Sequence, residues 1–209
     1  MRADCPDLTR PFLAAEHDRD EIRRLVTEGL LHRVTGRVHV NPDVPDTLAG
    51  RAHAVRLALT APEVLLARCE VTLLDRVVVA FGTAAWVHAG GGPGPQEGRL
   101  DLVIPPGSYR PALPEVVLHE HRLGDRDVER LCGLTLTTPV RTAADLARTL
   151  PIEQAVAALD RLRICCGVRV VDVLDQLDRM PRCRGVATGR AVVHAWAAAI
   201  ASAASAPLG

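Results

Sequence analysis

The sequence has no lysine: all 25 of its basic residues are arginines, and 25 acidic residues balance them. Without an ammonium group the chain cannot form a Walker A phosphate loop, a pyridoxal Schiff base, or the usual nuclease centre of two carboxylates and a lysine. The formal net charge of zero also excludes a global field that attracts nucleic acid. Any binding to DNA must therefore come from a local patch of arginines.

Aromatic residues make up only 2% of the 209 residues, which argues against the base-stacking surfaces of RNA-recognition and oligonucleotide-binding folds. Contact with duplex DNA remains possible. The six cysteines include no C-x-x-C spacing, no signal peptide precedes them, and the Ala-rich end is too weakly hydrophobic for a membrane span. We therefore expect a reduced, cytoplasmic protein without a membrane partner.

Residues 18–42 have the pattern of a short amphipathic helix followed by a basic hairpin. Asp18 and Glu21 have the spacing of a capping box, which predicts a helix that begins near Arg19. Residues 32–40 alternate basic or polar residues with valines, which is typical of a two-stranded wing. The apolar residues of the helix recur at helical spacing and predict one buried stripe: Ile22, Leu25, Val26 and Leu30. This order is the one that a winged-helix DNA-binding domain needs.

The basic side chains of this stretch are the candidate DNA contacts. Helix residues away from the apolar stripe would face the major groove, and the hairpin, which has no acid between Glu28 and Asp43, would contact phosphates. An ordinary surface helix and hairpin of an arginine-rich protein would have the same pattern. The pattern alone therefore does not distinguish a DNA-binding surface from an ordinary one. The predicted DNA-binding residues are Arg19, Arg23, Arg24, Thr27, Arg33 and Arg37.

The rest of the chain predicts a mixed domain, with strands first and helices last. Residues 41–45 indicate a linker, and short apolar runs predict strands at 77–80, 100–104, 116–121 and 134–136. Thr138 and Pro139 look like an N-cap and a first helical residue. Further helices are predicted at 47–59, 83–88, 170–180 and 187–204.

We therefore expect an α+β protein with three parts. The first is a winged-helix domain over residues 1–43, which could be incomplete because 1–17 is short for two leading helices and residues 8–16 could form only one. A mixed α/β domain over 46–182 follows. An Ala-rich helix or tail over 183–209 completes the helical C-terminal end.

Several segments, in order, resemble a known family. They are residues 10–16 (RPFLAAE), 25–40, 83–88 (TAAWVH), 103–107 (VIPPG), 133–148 (GLTLTTPVRTAADLAR) and 155–162 (AVAALDRL). They resemble the actinobacterial branch of the AbiEi antitoxins, the antitoxin side of type IV toxin–antitoxin pairs, most specifically around Arg141, Thr142 and Asp145. The resemblance implies a winged helix that binds the promoter of its own operon, and a second domain that antagonises a nucleotidyltransferase-like toxin.

The sequence also departs from this family. Its members typically have Gly, Val and Tyr in the second strand of the wing, where this chain has Arg37, Val38 and His39, with the glycine moved to Gly36. The recognition region is abbreviated, and the chain ends in an Ala-rich stretch where many longer relatives continue into a small endonuclease-like domain. A shortened or decaying family member, a protein-interaction remnant that no longer binds DNA, is therefore one alternative.

The segment most specific to the family also has a physical interpretation. Arg141 and Asp145 are four residues apart on one helix face and can form an ion pair, with Arg148 one turn further. We prefer a structural salt bridge that holds this helix against the strands. The alternative is a partner-binding site made of Arg141, Thr142, Asp145 and Arg148.

Two histidines could bind a metal. His119 and His121 would share one face of a strand, and Cys132 could join them, but the sequence offers no third ligand at a diagnostic spacing. We therefore expect neither a metal nor another cofactor.

Three carboxylates suggest the second alternative function, a metal-dependent nuclease or related hydrolase. Hydrolysis of phosphodiesters needs clustered carboxylates, and Glu97, Asp101 and Glu115 could supply them. The missing lysine and the position of Glu97 in a Gly-rich loop argue against such a centre. The sequence thus favours a non-enzymatic, DNA-binding antitoxin and autorepressor.

Overall fold

The computed structural model describes residues 7–35, 37–60, 77–91, 95, 98–108 and 115–205. Over these residues the protein is α+β, with seven α-helices and two β-sheets, which confirms the predicted fold class. Gly36, the predicted break of the wing, and most of the Gly-rich loop at 90–98 fall outside the described residues, as do residues 61–76 of the long apolar run.

The N-terminal part contains one full helix and a three-stranded antiparallel sheet. In chain order it comprises β1 (Phe12–Leu13), a 3-10 turn (Ala14–Glu16), α1 (Arg19–Thr27), β2 (His32–Thr35) and β3 (Val38–Val40). The strand order is β1–β3–β2, so the first strand pairs with the second strand of the hairpin. The helix, the hairpin and the preceding strand therefore form one folded unit.

The prediction of a helix within residues 8–16 is wrong, because this segment forms β1 and the 3-10 turn. Consecutive side chains of a strand point to opposite faces. Phe12 accordingly packs in a small apolar cluster with Ile22, Leu25 and Leu31, while Leu13 packs in the larger cluster that contains α2. A helical turn would not place these two neighbours in opposite directions.

Helix α1 begins where predicted, because Asp18 Oδ1 accepts hydrogen bonds from the backbone N–H groups of Asp20 and Glu21, both at 3.0 Å. Its buried face is narrower than predicted. Ile22 and Leu25 are buried, but the other two members of the predicted stripe, Val26 and Leu30, are 41% and 44% exposed. The helix ends at Thr27, and Gly29 turns the chain with a φ of +74°, which removes Leu30 from the helical face.

Within the described ranges the second sheet has five strands: β4 (Val78–Val79), β5 (Leu100–Ile104), β6 (Val116–Glu120), β7 (Val128–Leu131) and β8 (Leu134–Thr137). Their spatial order is β6–β5–β4–β8–β7, with β5 parallel to β6 and β4 parallel to β8. The remaining pairs are antiparallel. Strand β7 was not predicted; it pairs with β8 through a two-residue turn at Cys132 and Gly133, both with positive φ, as type I′ hairpins require.

Six further helices of the described residues pack with this sheet or with one another: α2 (Leu48–Thr60), α3 (Phe81–Ala89), α4 (Pro139–Thr149), α5 (Ile152–Cys166), α6 (Val170–Asp178) and α7 (Val186–Ser205). One large apolar cluster joins α2, the sheet and residues of the N-terminal part, and a second joins α3 to α7. Helix α7 supplies Val192, Val193 and Trp196 to the second cluster. The predicted boundary between 182 and 183 therefore lies within one packed helical unit.

No helix of the described residues combines the length and apolar character that crossing a membrane requires.

Candidate nucleic-acid interface and buried charge network

The outward face of α1 carries the predicted helix contacts. Arg23, Arg24 and Thr27 lie opposite the buried pair Ile22 and Leu25, and all three are exposed. Arg19 is exposed on the flank of the same helix. The α1 surface therefore presents three arginines and a hydroxyl in one region.

These arginines contact acids of their own helix. Arg23 Nη1 lies 2.8 Å from Asp20 Oδ1, and Arg24 Nη2 lies 2.7 Å from Glu21 Oε1. The side chains of Arg23 and Arg24 nevertheless remain 72% and 59% exposed. The acids Asp20 and Glu21 thus reduce the positive charge that the arginines give to the outward face of α1.

The hairpin places its two arginines in different surroundings. Arg33 is exposed on β2, opposite His39 of β3. Arg37 is half-exposed, and its Nε lies 3.7 Å from Oε1 of Glu115. Glu115 is distant from Arg37 in the sequence. His39 is buried, and burial lowers its pKa, so its ring is neutral near pH 7. The positive charge of the hairpin is therefore smaller than its sequence suggests and is concentrated at Arg33.

The second predicted group, on α4, is buried and forms a network of ion pairs. Arg141 Nε lies 2.9 Å from Asp145 Oδ2, and Arg148 Nε lies 2.9 Å from Asp145 Oδ1. Arg141 also reaches Asp127, with Nη1 3.1 Å from Oδ2. Asp145 is fully buried, and Arg141 is 2% exposed. The four-residue spacing of Arg141 and Asp145 thus corresponds to an ion pair in the structure. Arg148 is a second cation for the same carboxylate.

Neutral groups add further hydrogen bonds to this network. Asp127 accepts from Gln176 Nε2 at 2.8 Å and from the backbone N–H of Gly124 at 2.9 Å. Thr142, also fully buried, donates to the carbonyl of Thr137 at 3.2 Å. Buried charges are tolerated when they are paired and hydrogen-bonded in this way. Side chains so deeply buried offer a partner protein little surface while the domain is folded.

A second group of polar side chains surrounds Phe81, which has a positive φ of 47°. His119 stacks on its ring at a centroid distance of 4.1 Å, and its Nε2 lies 2.9 Å from Asp101 Oδ1. The guanidinium of Arg148 lies 5.4 Å from the centroid of the same ring. Its Nη2 is 3.1 Å from Nε2 of His121.

The two histidines thus have protein partners. Because a guanidinium can only donate, Nε2 of His121 accepts, and this ring is neutral. Burial, followed by the positive charge of Arg148, lowers the pKa of His121 accordingly. Among the residues that the structure describes, no group of three potential ligands could hold a metal ion.

The carboxylates considered for a nuclease have separate partners in the described part of the chain. Asp101 contacts His119, and Glu115 contacts Arg37. Glu97 lies outside the described residues.

Sequence reasoning did not find Asp127 or Gln176 as members of the α4 network. Asp127 lies 14 residues before Arg141 and Gln176 lies 49 residues after Asp127, so no local spacing could indicate either contact.

Comparisons with protein families and with curated protein sequences give no match. Among solved structures, the crystal structure of the RV2827C protein from Mycobacterium tuberculosis is similar to this chain over 92% of this chain and 77% of that one. The sequence identity is 16% and the TM-score is 0.38, a likeness that carries no conclusion about function.

Proposed function

We propose that this protein is a DNA-binding antitoxin that represses its own promoter and counteracts a nucleotidyltransferase-like toxin. The observation that supports the DNA-binding half is the placement of α1: its apolar side packs on Phe12 of β1 and on Leu31, and its arginine side faces outward. An α-helix fits the major groove of B-DNA, where arginine recognises guanine. Arg24 and Arg23 are the proposed base-contacting residues.

Packing between helix and hairpin supports a single binding surface. Leu31, directly before β2, belongs to the same apolar cluster as Ile22 and Leu25 of α1 and Phe12 of β1. The orientation of the hairpin relative to α1 is therefore set by buried contacts. Arg33, and to a smaller extent Arg37, would bind phosphates while the helix lies in the groove.

The ion pairs on α1 do not oppose this function. Exposed pairs at i, i+3 contribute only about 0–1 kcal/mol each, so a phosphate or a guanine can replace the carboxylate at small cost. The neighbouring acids Asp20 and Glu21 reduce the net positive charge of the helix, which disfavours tight non-specific binding. We therefore expect the affinity to depend on base contacts as well as on salt.

A gel-shift assay tests the DNA-binding half. A duplex from the region upstream of the protein's own gene should shift at lower protein concentration than a shuffled duplex of equal length. Equal shifts, or none, would reject autorepression.

The antitoxin half of the proposal rests on the family resemblance around Arg141, Thr142 and Asp145. Because these side chains are buried, they would serve the antitoxin domain by holding α4 in place, and a toxin would contact the outer surface. Co-expression with the neighbouring toxin tests this half: the protein should restore growth without cleaving or modifying DNA. A gene neighbourhood with no such toxin would reject it.

A further inference from the structure

A cleft lies beside the buried ion-pair network. It runs between the 3-10 turn at Asp125–Asp127 and the end of α6 with the loop that follows, and its volume is about 540 Å³. Of the twelve described residues that line it, five are arginines, compared with 25 in the 209 residues of the chain. They are Arg122, Arg126, Arg141, Arg179 and Arg182. The cleft therefore concentrates cations in a protein whose formal net charge is zero.

The floor of the cleft is electrically balanced. Arg141 and Gln176 are each 2% exposed, and both donate to Asp127. The charges of the floor and of the network beneath it are two arginines and two aspartates, namely Asp127, Arg141, Asp145 and Arg148. The ion pair with Arg141 compensates the negative charge of Asp127, and the oxygens of Asp127 accept three hydrogen bonds in all.

The rim of the cleft is not balanced. Arg122, Arg126, Arg179 and Arg182 are exposed there, and among the described lining residues the rim has one acid, Asp125. Across the described ranges, no ion pair joins Arg122, Arg126 or Arg182 to an acid, and Arg179 donates to the neutral Gln176. Four positive charges thus face one negative charge. A concave surface with an excess of positive charge attracts anions.

A separate observation at the floor points to a missing acceptor. Nη2 of Arg141 is buried and has no hydrogen-bond partner among the described residues. A buried donor without an acceptor destabilises a protein by about 1–3 kcal/mol, and more when it is charged, so such donors are rare in folded proteins. Because Arg141 lines the floor of the cleft, its unpaired donor belongs to a side chain that borders the space in which an anion would bind.

We propose that this cleft binds a small phosphorylated ligand. Guanidinium groups donate in a rigid fork that matches the oxygens of a phosphate, and several of them around one cavity suit a ligand with two or more phosphate charges. The volume falls within the range of small-molecule sites. None of the proposed DNA contacts is among the described residues that line the cleft, so the two sites share no residue.

Calorimetric titration with inorganic pyrophosphate, at constant ionic strength, tests the proposal. The wild-type protein should bind it saturably at one site. The double variant Arg126→Gln/Arg182→Gln should bind it at least about tenfold more weakly, since it removes two charge-assisted contacts. Both side chains are exposed, so its melting temperature without ligand should equal that of the wild type.

The matched control is Arg56→Gln/Arg99→Gln, which removes the same charge at two exposed positions outside the cleft. This control should bind pyrophosphate as the wild type does. Three results would each overturn the proposal: no saturable binding up to about 10 mM pyrophosphate, equal losses in the two double variants, or undiminished binding in the cleft variant.

Discussion

Helices α1 and α4 carry arginines and acids at the same short spacings, yet the structure places them in opposite environments. On α1, the side chains of Arg23 and Arg24 are 72% and 59% exposed although each contacts an acid. On α4, the side chains of Arg141 and Arg148 are 2% and 4% exposed and share the buried Asp145. Burial, and not the ion pair itself, distinguishes the two helices.

This difference separates arginines that can exchange their carboxylate for a contact with DNA from arginines that hold the fold. In water an exposed pair contributes about 0–1 kcal/mol, and either partner can leave it. A buried arginine cannot leave its carboxylate without exposing an uncompensated charge to a low-dielectric interior. The arginines of α1 are therefore available to DNA, whereas those of α4 stay paired with Asp145.

The largest expected effect is on stability. Arg141→Ala leaves Asp145 with one cation and Asp127 without its guanidinium, and we expect it to lower the free energy of unfolding by roughly 3–5 kcal/mol. Arg23→Ala, which removes an exposed pair, should lower it by less than about 1 kcal/mol. Urea denaturation of the two variants measures both values. Similar losses in the two would show that burial does not separate the helices.

The next effect concerns sequence discrimination. Arg24→Ala should reduce the preference for operator over random DNA by about 1–3 kcal/mol, because it removes a contact to a base edge. The matched control is Arg163→Ala on α5, since Arg163 is also half-exposed and pairs with an acid three residues away, Asp160. Equal losses on operator and random DNA would make Arg24 a phosphate contact.

A smaller effect is expected at the hairpin. Arg33→Ala with Arg37→Ala should weaken binding to all DNA sequences and flatten the salt dependence by about one to two slope units. Since Glu115 already contacts Arg37, Arg33→Ala alone should account for most of the change. Titrations at several salt concentrations measure the slope. An unchanged slope in the double variant would reject the hairpin as a phosphate contact.

Three buried histidines should make the stability of the protein depend on pH. Burial lowers the pKa of His39, His88 and His121 below the ordinary value of about 6.5. At a pH below about 6.5, the unfolded chain binds more protons at these histidines than the folded chain does. The free energy of unfolding therefore has its full value above about pH 6.5 and decreases as the pH falls toward the lower pKa values of the folded protein.

Thermal melting from about pH 7.5 to about pH 5 should show this decrease. His88→Gln, which keeps a donor for the carbonyl of Thr137, should reduce it. A melting temperature independent of pH would contradict the buried, neutral state of these rings.

Local patterns predicted much of the fold. Helix α1 with its Asp18 cap, the start of α4 at Thr138 and Pro139, and strands β4, β5, β6 and β8 follow from periodicity and capping, which act within a few residues. Strand β7 was missed because its four residues, VERL, have no long alternating pattern and depend on pairing with β8.

Contacts distant in sequence explain the remaining differences. Leu13 packs with α2, which favours a strand where the sequence indicated a helix. Glu115 lies beside Arg37 across a sequence separation of 78 residues, so the charge of the hairpin could not be read from the hairpin alone. The Arg141–Asp145 pair was visible because both residues lie on one helix, whereas Asp127 reaches the pair only through the fold.

The most direct test of this account is the affinity of the intact protein for a fluorescent duplex from its own upstream region, measured by anisotropy between about 0.05 and 0.2 M salt. We predict specific, salt-dependent binding that Arg24→Ala and Arg33→Ala weaken and Arg163→Ala leaves unchanged. Absence of binding at about 0.1 M salt, or equal binding by all four proteins, would contradict the assignment of the exposed arginines to DNA.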